Sequence, residues 1–400
     1  MKRLFNYIVL LFVLVSPILR AGGSSYSSSR YGLIEFRPSI RSMGMGGVIL
    51  AIPGQTSTNY YNPAGLIGLT ATRFEGSLYY QGNQATTRNG GAFSDLTHLN
   101  QVSFALPFGS RFAAAFSLAR YSSVDYRYAQ AGSFQNEPYT EKYTGDGGMR
   151  QLAFSFAWKA VPSTSVGLSA QYFMGSISRH WVVNWTSTEF EGSDDLIQEN
   201  IRGVRWVAGA IHSEKDFDYG MVIAPPAGMQ RDEAIQNATG DTTSYRRVNE
   251  GLPFELGLGA AYRGFNQYVV GADLVFSAWS AIKPFGQSQK HQNTIKVALG
   301  AERLPSTSIS AGYFDLWSYR AGFYFQNLYA SSATGKFGSE YFLTTGATIP
   351  FNRGRNQLDV AIEVGQRGSI GGFRVRDRIT RISIAVSGGE RWFQNRKKRQ

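Results

Sequence analysis

Four histidines, His98, His180, His212 and His291, are the side chains a metal centre or a general base would draw on, and no two stand at metal-ligand spacing. The helix motif of two histidines four apart with a glutamate between, and the Gly-x-Ser-x-Gly turn of a hydrolase nucleophile, are both absent from the sequence. The adjacent acids Asp194 and Asp195 have the chemistry to ligate calcium, but a two-acid step in a polar stretch reads as a solvated loop. No enzyme, no metal and no cofactor are expected. The informative charges are Glu75, Lys159, Glu255, Arg263, Asp273, Lys296, Glu302, Asp359, Glu363 and Arg381, which fall on the polar side of alternating runs. Charges so placed can pair with one another, hold a plug, or guide the head group of a substrate.

A polar residue at every second position needs a strand to position it, because successive strand side chains point to opposite faces. In the run 357–366, Leu358, Val360, Ile362 and Val364 share one face while Asp359, Ala361 and Glu363 share the other. The same alternation sets Leu152, Phe154, Phe156 and Trp158 against Ala153, Ser155, Ala157 and Lys159, and Phe254, Leu256 and Leu258 against Glu255, Gly257 and Gly259. Lipid on one side and water on the other would produce this pattern. A Lys or Arg turned to lipid at the midplane costs roughly 2–4 kcal/mol, so the charged face must point into a lumen. Tyr79, Tyr121, Phe173 and Trp279 read as inward or rim-facing by the same parity, and Phe74, Tyr80, Phe108, Tyr262 and Tyr268 as lipid-facing or girdle residues.

The chain opens on Met1, Lys2 and Arg3, continues with an apolar run from Leu4 to Leu19, and reaches Arg20, Ala21 and Gly22, the order of an export signal. Residues 1–21 are therefore expected to be a signal peptide. No later segment supplies the roughly 20 uninterrupted apolar residues of a membrane helix, so a membrane-embedded chain must be a closed barrel. With no cysteine it is not a disulfide scaffold. The formal charge of +12 is spread over turns and the C-terminal Arg396, Lys397, Lys398 and Arg399, which suits a solvated tail and not nucleic-acid binding.

Alternation predicts about 14 strands, the eleventh at 307–315, with 319–326 as an extra strand or an extension. Turn-sized connections are expected at 108–111, 160–164, 263–267 and 303–306, and long ones at 122–149, 176–199, 226–253, 279–293, 316–339 and 367–377. Short turns belong to the periplasm and long loops to the outside. The fold expected is all-β, a transmembrane antiparallel barrel at 73–389, preceded by a plug at 22–72 and followed by a polar tail at 390–400. Within the plug, Asn62 before Pro63 reads as an N-cap and first helical position, predicting a short helix over 63–69.

The N-terminal motifs Met43-Gly44-Met45-Gly46-Gly47 and Asn62-Pro63-Ala64-Gly65-Leu66 resemble those of the long-chain fatty-acid outer-membrane transporter superfamily (FadL type), including the PorV-type barrels of secretion systems. The resemblance implies a barrel closed by an N-terminal hatch, with Asn62, Pro63, Ala64 and the glycines Gly44, Gly46 and Gly47 as its hatch motif. It implies passive uptake of hydrophobic, fatty-acid-like or hydrocarbon-like molecules across the outer membrane. The alternative is an interaction barrel serving a secretion system or shuttling proteins. Expected partners are membrane lipids and lipopolysaccharide, a hydrophobic small-molecule substrate, and, under the alternative, secretion-system proteins.

Overall fold

The computed structural model describes residues 23–390, apart from 55–57, 89, 238–240, 283–289, 309, 332–335, 353 and 371–374. The export signal and the basic tail lie outside the described residues. After the inner strand β1 (Leu33–Ile34), the wall segments are β2 (Thr72–Thr87), β3 (Gly90–Phe108), β4 (Phe112–Arg120), β5 (Ser122–Phe134), β6 (Glu137–Val161), β7 (Thr164–Trp185), β8 (Ser193–Glu214), β9 (Phe217–Ala224) and β10 (Ala227–Gln236). The rest are β11 (Thr242–Leu252), β12 (Glu255–Tyr262), β13 (Tyr268–Ser277), β14 (Thr294–Arg303), β15 (Ser318–Ser331), β16 (Phe337–Phe351), β17 (Asn356–Arg367) and β18 (Arg376–Glu390).

Three wall strands are interrupted: β4 runs into β5 through Tyr121, β9 into β10 through Pro225-Pro226, and β11 into β12 through Pro253-Phe254. Proline cannot donate to a ladder, and the two proline breaks lie side by side, Ala224 opposite Glu255 and Ala227 opposite Leu252. Counted as strands, the wall is a closed 14-strand antiparallel barrel, sealed where β18 pairs β2 from Arg376↔Thr86 to Glu390↔Thr72.

Direction within the strands follows the alternation. Phe154, Phe156 and Trp158 are exposed on the outer face, while Ala153, Ser155 and Ala157 are buried inside. Tyr79, Tyr121, Phe173 and Trp279 are buried; Phe74, Tyr80, Phe108 and Tyr268 are exposed, and Tyr262 is half-buried.

Two expectations are corrected. The eleventh strand is β15 (Ser318–Ser331), not 307–315, and the connection expected to end at 306 runs to Trp317, with a 3-10 helix at Tyr313–Leu316. The serine- and glycine-rich 306–312 offers little apolar surface to lipid, whereas Tyr319, Ala321, Phe323 and Phe325 alternate along β15. The regions 122–149, 176–199 and 226–253 are not loops but largely strand, and so is much of 316–339. β6 has 25 residues and β7 and β8 have 22 each, while about 9–11 cross a bilayer. The excess forms a turret beyond the bilayer-spanning length from β5, β6, β7, β8, β10 and β11, and the connections β5–β6 and β7–β8 shrink to 135–136 and 186–192. Asp194 and Asp195 accordingly sit in β8, with Asp194 paired to His180 of β7.

Inside the barrel lies the N-terminal segment. It contains a short α-helix (Ile40–Met43) capped by Ser39 and a 3-10 helix (Pro63–Gly68) whose N-cap is Asn62. Ile40, Met43, Met45, Val48, Ala51 and Ile52 form one apolar cluster with wall residues Tyr324, Phe342, Ala361 and Ala385. Leu66 and Leu69 pack on Ala105, Ala113, Ala115 and Ala157. Each fully buried large apolar side chain contributes about 1.5–3 kcal/mol. The plug is therefore packed on the wall from several sides.

Candidate functional site: the hatch, the cavity above it and a split in the wall

The inward charges meet the plug. Arg37 donates from Nη1 to both Glu363 oxygens at 3.2 and 2.9 Å and from Nη2 to Ser383 at 2.7 Å, and Arg381 Nη1 reaches Glu363 at 3.2 Å. Arg41 Nε donates to Glu302 at 3.2 Å; Arg320 joins Glu302 at 2.8 Å and lies 3.6 Å from Asp359. Asp273 accepts the N–H groups of Ile49 and Leu50 at 2.7 and 2.9 Å, Glu75 accepts that of Thr58 at 3.3 Å, and Glu255 accepts the Tyr61 hydroxyl at 2.6 Å. Lys296 lies over Phe36, with Nζ 3.5 Å from the ring centroid. Lys159 and Arg263 stand apart near the short-turn end: Lys159 is half-buried, and Arg263 pairs with Asp218 at 2.7 Å. Of the ten charges singled out from sequence, all but these two are gathered around the hatch, directly or through one intervening side chain.

The hatch glycines allow backbone to touch wall. Gly46 and Gly47 have φ of 69° and 85°, the left-handed region, and a Cβ on Gly46 would stand 2.5 Å from the Phe323 carbonyl oxygen. The wall answers with glycines of its own: a Cβ on Gly300 or Gly322 would fall 2.2 Å from the backbone of Met45. Asn62 does more than cap. Its side-chain oxygen accepts the Ala64 N–H at 3.1 Å, while Nδ2 donates to Leu50 O at 2.7 Å and to Ala210 O of β8 at 3.3 Å. Pro63 and Ala64 lie against Gly167 of β7.

Between the hatch and the long-strand end of the barrel is a cavity of about 530 Å³. Tyr61, Tyr121, Tyr126, Tyr128, Trp279 and Tyr329 supply rings, and Phe36, Glu255 and Lys296 also line it. Phe36 and Tyr61 meet edge to face, centroids 4.3 Å apart. Sequence parity identified Tyr121 and Trp279 but not Phe36 or Tyr61, which owe their positions to the path of the plug, nor Tyr329, which lies on β15 past the stretch 319–326. The N-terminal stretch is latched above by Arg179, which donates to the carbonyl oxygens of Ser28, Ser29 and Arg30 at 3.0, 3.1 and 2.9 Å.

Beside the cavity the wall parts. β3 pairs with β4 only over Gln101–Phe108, and the rest of β3 pairs with β2 alone. Three irregularities align at this level: Asn100 is left out of the β2–β3 register, Tyr121 breaks the next strand, and Gly147 and Gly148 of β6 have φ of 115° and 132°. β1 fills the lower end, pairing Leu33↔Ser123 and Ile34↔Ser122. Glu35 follows, accepting the Tyr79 hydroxyl at 2.9 Å. Burial would raise its carboxyl, but Arg120, His98 and Arg37 outweigh that and hold it below the ordinary carboxylate value. Arg120 reaches His98 at 3.0 Å across the foot of the split.

A closed 14-strand barrel with an N-terminal plug packed inside is the architecture of an outer-membrane barrel. The family model described as BamG matches residues 1–398, and the chain belongs to the BamG family. Among solved structures it is similar to a FadL homologue of Pseudomonas aeruginosa, at 13% identity and a TM-score of 0.61, over 90% of this chain and 99% of that one. It is also similar to the toluene transporter TbuX of Ralstonia pickettii, at 17% identity and a TM-score of 0.58, over 90% and 100%. A third is the monoaromatic hydrocarbon channel CymD, at 16% identity and a TM-score of 0.55, over 88% and 97%. At these identities the likeness establishes the fold. No curated protein matches the sequence.

Proposed function

We propose that the protein is an outer-membrane channel for passive uptake of hydrophobic small molecules, which settle in the ring-lined cavity and pass inward when the hatch shifts. The cavity is the observation that carries this reading. It is concave and rich in aromatic rings, with polar side chains such as Gln130, Glu255, Lys296 and Gln326 sharing its lining, and a concave, ring-lined cavity with convergent polar groups is the usual character of a small-molecule site. The structural neighbours named for toluene and monoaromatic hydrocarbons support the same direction. No energy source or cofactor is invoked. The hatch motif Asn62-Pro63-Ala64, with Gly44, Gly46 and Gly47, is the element proposed to move, and the inward charges hold it in its closed position.

Ser277→Trp, which fills the cavity from β13, tests the reading. Uptake of the hydrophobic fluorophore N-phenyl-1-naphthylamine by cells carrying this variant should be slower than by cells with the unaltered protein, with equal amounts of heat-modifiable barrel. Equal rates would exclude the cavity from the route. A second reading, an interaction barrel of a secretion or protein-shuttle system, is favoured by the turret, which builds an extended structured surface beyond the membrane that uptake alone does not require. Stoichiometric protein partners on purification, without bound lipid or hydrocarbon, would support it.

A further inference from the structure

We propose that the unpaired edge of β5 above the membrane, from Arg127 to Ala131, accepts an extended segment of a second exported protein as an added β-strand. This does not rest on what crosses the barrel. β5 pairs with β6 from Val124↔Gly147 to Phe134↔Glu137, and its opposite edge meets only the plug. The direction of its backbone groups is fixed by contacts on that side: Tyr121 O accepts the Glu35 N–H at 2.9 Å, and Asp125 gives its N–H to Ser27 Oγ at 3.0 Å and accepts from it at 2.7 Å. The period of two then turns the N–H and C=O groups of Arg127, Ala129 and Ala131 to the same edge. None of these backbone groups has a partner among the described residues.

Such a row is a template for another strand. Edges left in water are ordinarily guarded by proline, charged side chains or a bulge, and between Val124 and Phe134 β5 has no proline and an unbroken register with β6, its one outward charge on the free stretch being Arg127 at the lower end. The inner face of this stretch carries Tyr126, Tyr128 and Gln130, which line the cavity, so Ala129 and Ala131 point outward and leave room beside the edge. β1 already uses the lower part of the same edge, which shows that it takes a strand and sets the line an incoming one would continue. The level is right for a water-soluble segment. Val102↔Leu118 is the last outward apolar pair joining β3 to β4, and Arg120, opposite Arg150, stands just above it. The free edge therefore lies above the hydrocarbon, where backbone from outside can reach it.

The test is photocross-linking in intact cells from p-benzoylphenylalanine placed in turn at Arg127, Ala129 and Ala131 of the full chain, with mass spectrometry of the products. Strand addition predicts that all three attach to one polypeptide segment, at sites stepping by two residues in order. Ala129→Pro removes an edge N–H without touching a bond to β6, and should cut the yield from Arg127 and Ala131 about tenfold, the loss of roughly one net hydrogen bond with its neighbours, while heat-modifiable mobility stays normal. Ala131→Pro makes the same change one step along and replaces it should that barrel fail to form. Attachment to lipopolysaccharide, to proteins without such a register, to nothing at all, or a yield unchanged by either proline, would overturn the proposal.

Discussion

Asn62 holds the hatch at three points, one within its own helix, one to Leu50 and one to the wall at Ala210. Loss of an Asn cap costs about 0.5–2 kcal/mol, and each further buried hydrogen bond about 1 kcal/mol. Asn62→Ala should therefore loosen the plug while leaving barrel yield and heat-modifiable mobility unchanged, seen as altered uptake of a hydrophobic probe or leakage of small solutes. Normal uptake and leakage would remove Asn62 from the mechanism. Glu363 is the sterner case, because its fully buried carboxylate serves both Arg37 and Arg381. Removing one partner of a buried pair costs on the order of 3–5 kcal/mol. Glu363→Gln should raise permeability to polar antibiotics more than Asn62→Ala does, and equal effects would mean that the Arg37 latch is dispensable. The cap was legible in Asn62-Pro63 because capping is local. Its bonds to Leu50 and Ala210 were not, since they depend on how the chain loops back, and no local pattern encodes that.

At the scale of the strand, parity makes a distinction that the structure sharpens. Val360 faces outward and Ala361 is fully buried against the hatch in the cluster with Ile40 and Met43. Val360→Asp places a charge toward lipid and should block assembly, measured as loss of the heat-modifiable form. Alternation alone puts Ala361 on the charged, lumen-facing side, so Ala361→Asp should impair assembly less than Val360→Asp; because Ala361 enters an apolar contact with the plug, the variant should still leave an assembled barrel with a displaced, leaky hatch. Equal folding yields would place this strand in the wrong register. Strand direction was readable because period two is a property of neighbouring residues. Strand length was not: alternation has no marker for where lipid ends, so 122–149 and 176–199 looked like loops when their ladders simply continue into water. Accessibility follows the corrected map. Tags at Gln135-Asn136 and within 186–192 should be labelled on intact cells and a tag at Pro162 should not, and the reverse labelling would invert the barrel.

For the whole molecule, the account stands on a plug that seals a wide barrel and yields to let a molecule through. Fourteen strands could be counted from the sequence and a plug could be expected, because a barrel of that size must be filled. The fit between plug and wall lay in glycines on strands far apart in the chain, such as Gly300 and Gly322 around Met45. The pairing of plug strand and wall allows the most direct measurement. In a chain that has no cysteine of its own, Ile34→Cys with Ser122→Cys places two thiols directly opposite each other on β1 of the plug and β5 of the wall, the cross-strand geometry a disulfide spans. The oxidised protein should fold, retain its cavity and stop taking up the hydrophobic probe, and reductant should restore uptake to the reduced rate. Uptake by the oxidised, fully cross-linked protein at the reduced rate would contradict passage through a moving hatch.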